Sequence, residues 1–146
     1  MKITQAVEYG ILGVIYLARQ PEGRLVMIDE ICESEGVPKS FLAKIFQSLT
    51  KSGIIRSRQG AGGGFALTRK PDDVSVLNVI EAIEGKIALQ RCLEDFPDCQ
   101  KFESCALSGV LAEAQAAVVD VFNRRTLADL IQQRTPYGND IYSIQR

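Results

Sequence analysis

The sequence predicts a mainly α-helical protein that carries one small β-hairpin. Three observations indicate this fold class. Apolar residues recur at helical spacing along most of the 146 residues. The residues on either side of the glycine-rich segment 60–64 have strand character, with side chains that alternate between two faces. Hydrophobic residues make up 46% of the chain, which is enough for a hydrophobic core, so we expect one domain with at most an appendage.

The first predicted helix covers residues 3–19 and has few polar positions. One face is lined by Ile3, Val7, Ile11, Val14, Ile15 and Ala18, and Leu12, Tyr16 and Leu17 widen it. A helix this apolar is buried in a core or an interface. Glu8 is its only charge between Lys2 and Arg19. Because an unpaired buried charge is costly, Glu8 either lies at a solvent edge or has a partner.

A helix-turn-helix is predicted to follow. Its first helix, 28–35, directs Ile28, Ile31 and Cys32 inward, and we expect Cys32 to be a core thiol. Gly36 ends this helix, and Lys39 or Ser40 starts the next. The second helix has a buried stripe of Phe41, Leu42, Ile45, Phe46 and Leu49, and an opposite, basic face of Lys39, Ser40, Lys44, Gln47 and Lys51. Such a helix can lie in a major groove of DNA.

A β-hairpin wing is predicted directly after this helix. Residues 54–59 alternate as a strand, with Arg56 and Arg58 on the same side of the pleat. The glycines of 60–64 form a flexible tip, and residues 65–67 return as the second strand. Together these elements predict a winged helix-turn-helix.

Basic residues are concentrated in this part of the chain. Residues 37–70 contain seven Lys or Arg and no acid, whereas the rest of the chain has 10 basic residues against all 18 acids. The net charge is −1, so affinity for a polyanion must come from this segregation. The predicted contacts with duplex DNA are Lys39, Ser40, Lys44, Gln47, Arg56, Arg58, Gln59, Gly62 and Gly63.

Two other interpretations of the glycine tip are weaker. A phosphate-binding loop needs a helix behind it, but residues 65–68 have strand character and no Gly-Lys-Ser/Thr occurs. An ordinary hairpin turn with solvated charges does not account for an acid-free run that begins with a basic helix. DNA contact is therefore the favoured hypothesis.

The second half of the chain contains a further core helix and a long helix. Ser75 is a good N-cap for a helix that ends before Gly85 and directs Val76, Val79, Ile80 and Ile83 inward. A long helix over about 104–124 carries the apolar stripe Val110, Leu111, Ala114, Ala117, Val118, Val121 and Phe122. This stripe has no long partner in the chain except the first helix, so a second copy is expected to cover it in a two-fold dimer. Thr126 with Asp129 predicts a last short helix, 127–134.

These elements give the predicted organisation. The expected units are the DNA-binding domain 1–85, a cysteine-containing loop 86–104, dimerisation helices 105–134 and a tail 135–146. The apolar run 9–18 is too short to span a bilayer, so we expect a cytoplasmic protein without a membrane partner. The chain has no histidine and no plausible nucleophile–base set, which argues against an enzyme.

Three of the four cysteines lie close together in the sequence. Cys92, Cys99 and Cys105 are spaced C-x6-C-x5-C in a segment without sustained periodicity. These gaps are wider than the usual zinc knuckles and do not match ferredoxin spacings. Three cysteines within fourteen residues nevertheless indicate a shared role for these thiols. Spacing alone leaves zinc, an iron–sulfur cluster and a thiol switch open.

Taken together, these features resemble the IscR/NsrR-type regulators, the Rrf-two family of bacterial winged-helix transcription factors. The matching segments are MKIT and EYGILGVIYLA at the N-terminus, VPKSFLAKIFQSLTKSGIIRSRQGAGGGFALTR, SVLNVIEAIEG, the three cysteines and TLADL. The resemblance covers about residues 1–134. It implies a homodimer in which the helix at 39–51 and the wing at 56–64 bind DNA, and the long helix dimerises.

The resemblance also implies a cofactor. Cys92, Cys99 and Cys105 would hold an iron–sulfur cluster, either 2Fe–2S or 4Fe–4S. The position at which some members carry a histidine ligand is Ser108 here. Other members use an acidic residue of the partner's first helix, which implies Glu8 as the fourth ligand. We therefore expect a homodimeric transcription regulator whose DNA affinity depends on the cluster. The alternatives are a cluster-free thiol or zinc switch of the same fold, and a protein-interaction subunit that binds no DNA.

Overall fold

The computed structural model describes residues 2–94 and 99–132. Within them lie six α-helices: α1 (Gln5–Ala18), α2 (Ile28–Glu35), α3 (Lys39–Lys51), α4 (Val76–Glu84), α5 (Ser108–Arg124) and α6 (Leu127–Ile131). Strands β1 (Ile55–Arg58) and β2 (Gly64–Leu67) form an antiparallel hairpin. Short 3-10 turns occupy Pro71–Asp73, Arg91–Leu93 and Phe102–Ser104. The predicted fold class, mainly helical with a small β wing, is confirmed.

Some predicted segments extend beyond the described residues. Positions 95–98 of the predicted loop, 133–134 of the predicted last helix and the predicted tail 135–146 lie outside them. No helix in the described part of the chain is long and apolar enough to cross a membrane.

Side-chain caps fix where several helices begin. Thr4 accepts a hydrogen bond from the Val7 amide at the start of α1, two residues later than the predicted helix start. Ser75 and Asn78 exchange hydrogen bonds of 3.1 and 3.0 Å as a capping box at α4. Thr126 and Asp129 form the capping box predicted for α6. Polar residues at these positions satisfy amide groups that a helix leaves unpaired, which is why their signal is visible in the sequence.

Helix α1 is the centre of the domain and contacts α2, α3, α4 and α6. Two buried glycines permit this close packing. A Cβ atom on Gly13 would lie 2.7 Å from the Phe46 ring of α3, and one on Gly10 would overlap the Ile83 side chain of α4. Ile3, predicted to line the buried face, precedes the helix and is 44% exposed.

The base of the wing is anchored in two ways. The rings of Phe46 in α3 and Phe65 in β2 pack edge to face, with centroids 4.9 Å apart. The backbones of Val26 and Phe65 also exchange hydrogen bonds of 2.9 and 2.8 Å, so the segment before α2 pairs with β2. The hairpin is thereby fixed relative to α3.

The predicted core is wrong at Phe41 and incomplete in α4. Phe41, predicted in the buried stripe of α3, is 56% exposed and makes an edge contact with Tyr9, whereas the other four stripe residues are buried. In α4, the predicted Val76 and Ile83 are half-buried and pack against the core, and Leu77, which was not predicted, is buried because the helix packs against both α1 and α5.

Helix α5 has a partner within its own chain. Val118, Val119 and Phe122 pack against a cluster that includes Leu77 and Ile80 of α4. The expectation that only the first helix could serve as an internal partner is therefore wrong. The helix also begins at Ser108 instead of about 104, because residues before it form a turn in which the Ser108 amide donates to the Cys105 carbonyl at 3.2 Å.

We expect Gly13→Ala to destabilise the fold. The added methyl group would press on the Phe46 ring, and overpacking of a core typically costs about 1–3 kcal/mol. Gly109→Ala is the matched control, because Gly109 lies in the first turn of α5 with open space around its Cβ position. Urea denaturation followed by circular dichroism gives both free energies of unfolding. Equal stability of the two variants would contradict close packing at Gly13.

Candidate nucleic-acid interface and cysteine loop

Helix α3 presents its polar face to solvent because its apolar face is fully used by the core. Leu42, Ile45, Phe46 and Leu49 are buried. The residues predicted to contact DNA are consequently on the outside: Lys39, Ser40, Lys44 and Gln47 are all exposed. The structure thus places this predicted set on one accessible surface.

The wing adds a second set of exposed polar side chains. Arg56, Arg58 and Gln59 are exposed, and Arg56 and Arg58 lie two residues apart on β1, opposite Ala66 and Gly64 of β2. Gly62 at the tip is exposed and Gly63 half-buried. A side chain at Gly63 would overlap the Arg58 carbonyl oxygen, so the tight hairpin itself requires glycine there.

A groove of about 570 Å³ separates α3 from the wing. Its walls combine polar residues of both elements with an apolar floor: Gln47, Thr50 and Lys51 of α3, Ser57, Arg58 and Gln59 of the wing, and Ala43, Phe46 and Phe65 below them. The sequence did not predict this groove, because it exists only where the hairpin folds back onto α3.

Most cations of this surface have no ionic partner. Within the described residues, Lys44, Arg56 and Arg58 form no ion pair and no side-chain hydrogen bond. Unpaired cations on a convex helix and an adjoining hairpin suit contacts with phosphates, since each contact releases condensed counterions. Lys39 differs, because its ammonium group lies 2.8 Å from the Asp29 carboxylate. The hydrogen bond to Asp29 raises the pKa of Lys39 above its ordinary value.

The cysteine loop is attached to the long helix. Cys92 is half-buried in the 3-10 turn Arg91–Leu93, which contacts α5. Just before this turn, the Leu89 amide donates a 3.0 Å hydrogen bond to the Gln115 side chain of α5. Gln115 is a positioning residue that the sequence did not single out. A lone glutamine on a helix gives no signal of a contact 26 residues away.

All four cysteines are free thiols, but they differ in exposure. Cys99 and Cys105 are exposed. Cys32 is half-buried against the core, as expected, and burial raises the pKa of its thiol. Cys105 lies three residues before the first residue of α5.

The donor chemistry of the loop fits a soft metal or an iron–sulfur cluster, because three uncommitted thiols lie within one segment. Among the described residues, however, no three cysteine, aspartate or glutamate side chains lie close enough to hold a metal ion. Binding would therefore require Cys92, Cys99 and Cys105 to converge from their positions here.

Glu8, the implied fourth ligand, is exposed on α1. It lies at the edge of a concavity of about 300 Å³ whose other lining residues are apolar: Ile3, Val7, Ile11, Leu12, Val76, Ile80 and Phe122. The sequence allowed Glu8 either to lie at a solvent edge or to have a partner. In the single chain, Glu8 lies at the solvent edge.

Known proteins share the fold of this chain. A family model described as Rrf2, an iron-dependent transcriptional regulator, matches residues 3–133. CymR of B. subtilis, described as a global cysteine regulator, superposes with a TM-score of 0.74 at 24% identity, covering 92% of this chain and 99% of that one. IscR of T. potens gives 0.72 at 25% identity, covering 92% and 89%. The oxidized form of Staphylococcus aureus CymR gives 0.68 at 27% identity, covering 90% and 96%.

The family match extends over most of the chain, and the structural neighbours share the helical domain with its small wing. Proteins of this family are transcription regulators that bind DNA, so the expectation of a regulator instead of an enzyme is confirmed. The chain belongs to the Rrf2 family of transcriptional regulators.

Proposed function

We propose that the protein is a homodimeric regulator whose affinity for duplex DNA is controlled by an iron–sulfur cluster held by Cys92, Cys99 and Cys105. One observation carries the proposal. The segment with the three thiols lies between the DNA-binding elements and α5, and the Gln115 side chain ties it to α5. A cytoplasmic location, where such a protein meets DNA, belongs to the same proposal.

The DNA-binding unit is proposed to be residues 1–85. Helix α3 would enter a major groove with Lys44 and Gln47 directed at base edges, since both side chains are exposed and Lys44 has no ion-pair partner among the described residues. Arg56, Arg58 and Gln59 of the wing would contact the neighbouring backbone.

Lys44→Ala and Arg58→Ala are expected to weaken DNA binding by about 1–3 kcal/mol each where the residue reads a base, and to reduce the salt slope by about one where it contacts a phosphate. Fluorescence anisotropy with a duplex selected from a random pool measures both quantities. Arg19→Ala is the matched control, because Arg19 is an exposed cation outside the predicted interface. If the variant that carries both Lys44→Ala and Arg58→Ala binds like the control, α3 and the wing are not the interface.

The dimer is proposed to form through an exposed seam on α5 and the turn before it. Leu107, Val110 and Val121 are 56, 60 and 42% exposed. With the exposed Ala114 and Ala117 they are spaced by 3, 4, 3 and 4 residues, the repeat that brings two helices together in a coiled coil. The residues of α5 that pack on α4 lie on a different face, so one helix can serve both contacts.

Val121→Asp is expected to give monomers. In a two-fold dimer the substitution would place two carboxylates opposite each other in an apolar seam without partners. Ala116→Asp introduces the same charge on an exposed position of α5 outside the seam and should leave the dimer intact. Sedimentation velocity distinguishes the two forms. Dimeric Val121→Asp protein would contradict the proposed seam.

The three loop cysteines, with Glu8 from the partner subunit, are proposed to hold the cluster. A bound iron–sulfur cluster supplies an iron centre that responds to oxidation, iron supply or nitric oxide. The chain itself supplies the coupling. Gln115 links the start of the loop to α5, and α5 packs on α4, which in turn contacts α1 and α3. A change in the conformation of the loop 92–105, on gain or loss of the cluster, would therefore alter the packing of α5 against the DNA-binding domain.

A thiol switch without a cluster is the second candidate. Staphylococcus aureus CymR, a structural neighbour, has been solved in an oxidized form. Cys99 and Cys105 are exposed here, so an oxidant could reach them. Visible absorption and Mössbauer spectra of anaerobically purified protein separate the candidates: charge-transfer bands and an iron signal support the cluster, and colourless, iron-free protein supports the thiol switch or a zinc site.

Alanine substitution of Cys92, Cys99 or Cys105 is expected to abolish the visible absorption of the cluster. Glu8→Ala should shift the spectrum or lower the iron content without changing thermal stability, because Glu8 is exposed in the isolated chain. Glu33→Ala, at an exposed position of α2, is the control. An unaltered spectrum for Glu8→Ala would mean that another group is the fourth ligand.

A further inference from the structure

The stretch 37–70 contains no acid in sequence, but the fold brings one to its first helix. The Asp29 carboxylate of α2 lies 2.8 Å from the ammonium group of Lys39, the first residue of α3. Helix α2 itself carries Asp29, Glu30, Glu33 and Glu35 and no basic residue. An acidic helix is therefore packed beside the basic helix that is proposed to bind DNA.

A second set of contacts holds the first turn of α2 in place. Glu30 accepts a 2.6 Å hydrogen bond from the Tyr16 hydroxyl of α1, and the Arg24 guanidinium donates to both Glu30 oxygens at 3.0 and 3.1 Å. These contacts hold the pKa of Glu30 below its ordinary value, with the Tyr16 hydrogen bond as the largest cause. Glu30 is thus committed to α1 and Arg24, which leaves Asp29 to pair with Lys39.

We propose that Asp29 is an intramolecular counterion that competes with a DNA phosphate for Lys39. The inference rests on the proposed DNA-binding role of α3. Both side chains remain more than half exposed, at 61% for Lys39 and 52% for Asp29, so a phosphate can reach the ammonium group and displace the carboxylate. Lys44, Arg56 and Arg58 meet no such competitor within the described residues.

This arrangement has a defined consequence for DNA binding. Phosphate contact at Lys39 replaces an existing ion pair, so it contributes less than contact at an unpaired cation. The freed Asp29 carboxylate also stays beside the DNA and repels it. Asp29 therefore lowers affinity for any duplex, and binding depends more on the unpaired residues Lys44 and Arg58.

A double-mutant cycle tests this role of Asp29. Dissociation constants for one selected duplex are measured for the wild type, Asp29→Asn, Lys39→Gln and the double variant. Asp29→Asn should tighten binding about two- to fivefold in the wild-type background, and by clearly less when Lys39 is replaced. Glu33→Gln removes the same charge elsewhere on α2 and measures the general electrostatic effect. Thermal unfolding by circular dichroism verifies that each variant is folded.

Each outcome decides the proposal. Tightening by Asp29→Asn that exceeds Glu33→Gln and depends on Lys39 supports it. Equal gains with and without Lys39 overturn it and show that Asp29 acts only by general repulsion, and no gain also overturns it. The DNA-binding role is tested separately by Lys44→Ala in the same assay. A wild-type protein that binds no duplex would overturn both proposals.

Discussion

Close packing around α1 is the constraint on which the rest of the structure depends. Gly13 lets the Phe46 ring of α3 lie against the α1 backbone, and Gly10 does the same for Ile83 of α4. Because α3 is held by its apolar face, its basic face must point outward. Phe46 then supports the wing through Phe65, so the position of the hairpin follows from the same packing. Two small residues in an apolar helix thus determine the shape of the candidate DNA-binding surface.

The same packing connects the cysteine loop to that surface. Helix α4 contacts both α1 and α3, and its other side receives Val118 and Phe122 of α5. The Leu89–Gln115 hydrogen bond then joins α5 to the segment that precedes Cys92. Among the described residues, these contacts form a continuous route between the turn that contains Cys92 and α3. Such a route is a physical basis for coupling, and DNA affinities measured in two states of the loop would establish the coupling itself.

The parts of the fold that the sequence predicted well are those with local causes. Capping residues such as Ser75 and Thr126 mark where helices begin. The bounds of α2 follow from its apolar spacing and from Gly36. The outward face of α3 was predictable because hydrophobic periodicity identifies the buried face, and the remaining residues must face solvent. Several of the features that were missed or wrong depend on a tertiary neighbour.

Those misses share a physical explanation. Phe41 has the spacing of a core residue, but its ring meets Tyr9 of α1 edge to face and stays 56% exposed. The apolar stripe of α5 was treated as one surface, whereas α4 covers part of it and solvent the rest. The groove beside the wing, the Gln115 contact and the Asp29–Lys39 pair arise between elements distant in sequence. Periodicity describes a single helix and carries no information on which neighbour covers it.

Hydrogen exchange of the wild-type protein, with and without a selected DNA duplex, tests most directly whether α3 and the wing form the nucleic-acid interface. Exchange is compared by mass spectrometry at equal protein concentration, so that self-association is the same in both samples. We expect DNA to slow exchange within Lys39–Lys51 and across β1 and β2, and to leave the seam on α5 unchanged. Slowed exchange confined to α5 or to the cysteine loop, with none in α3 or the wing, would contradict this interface.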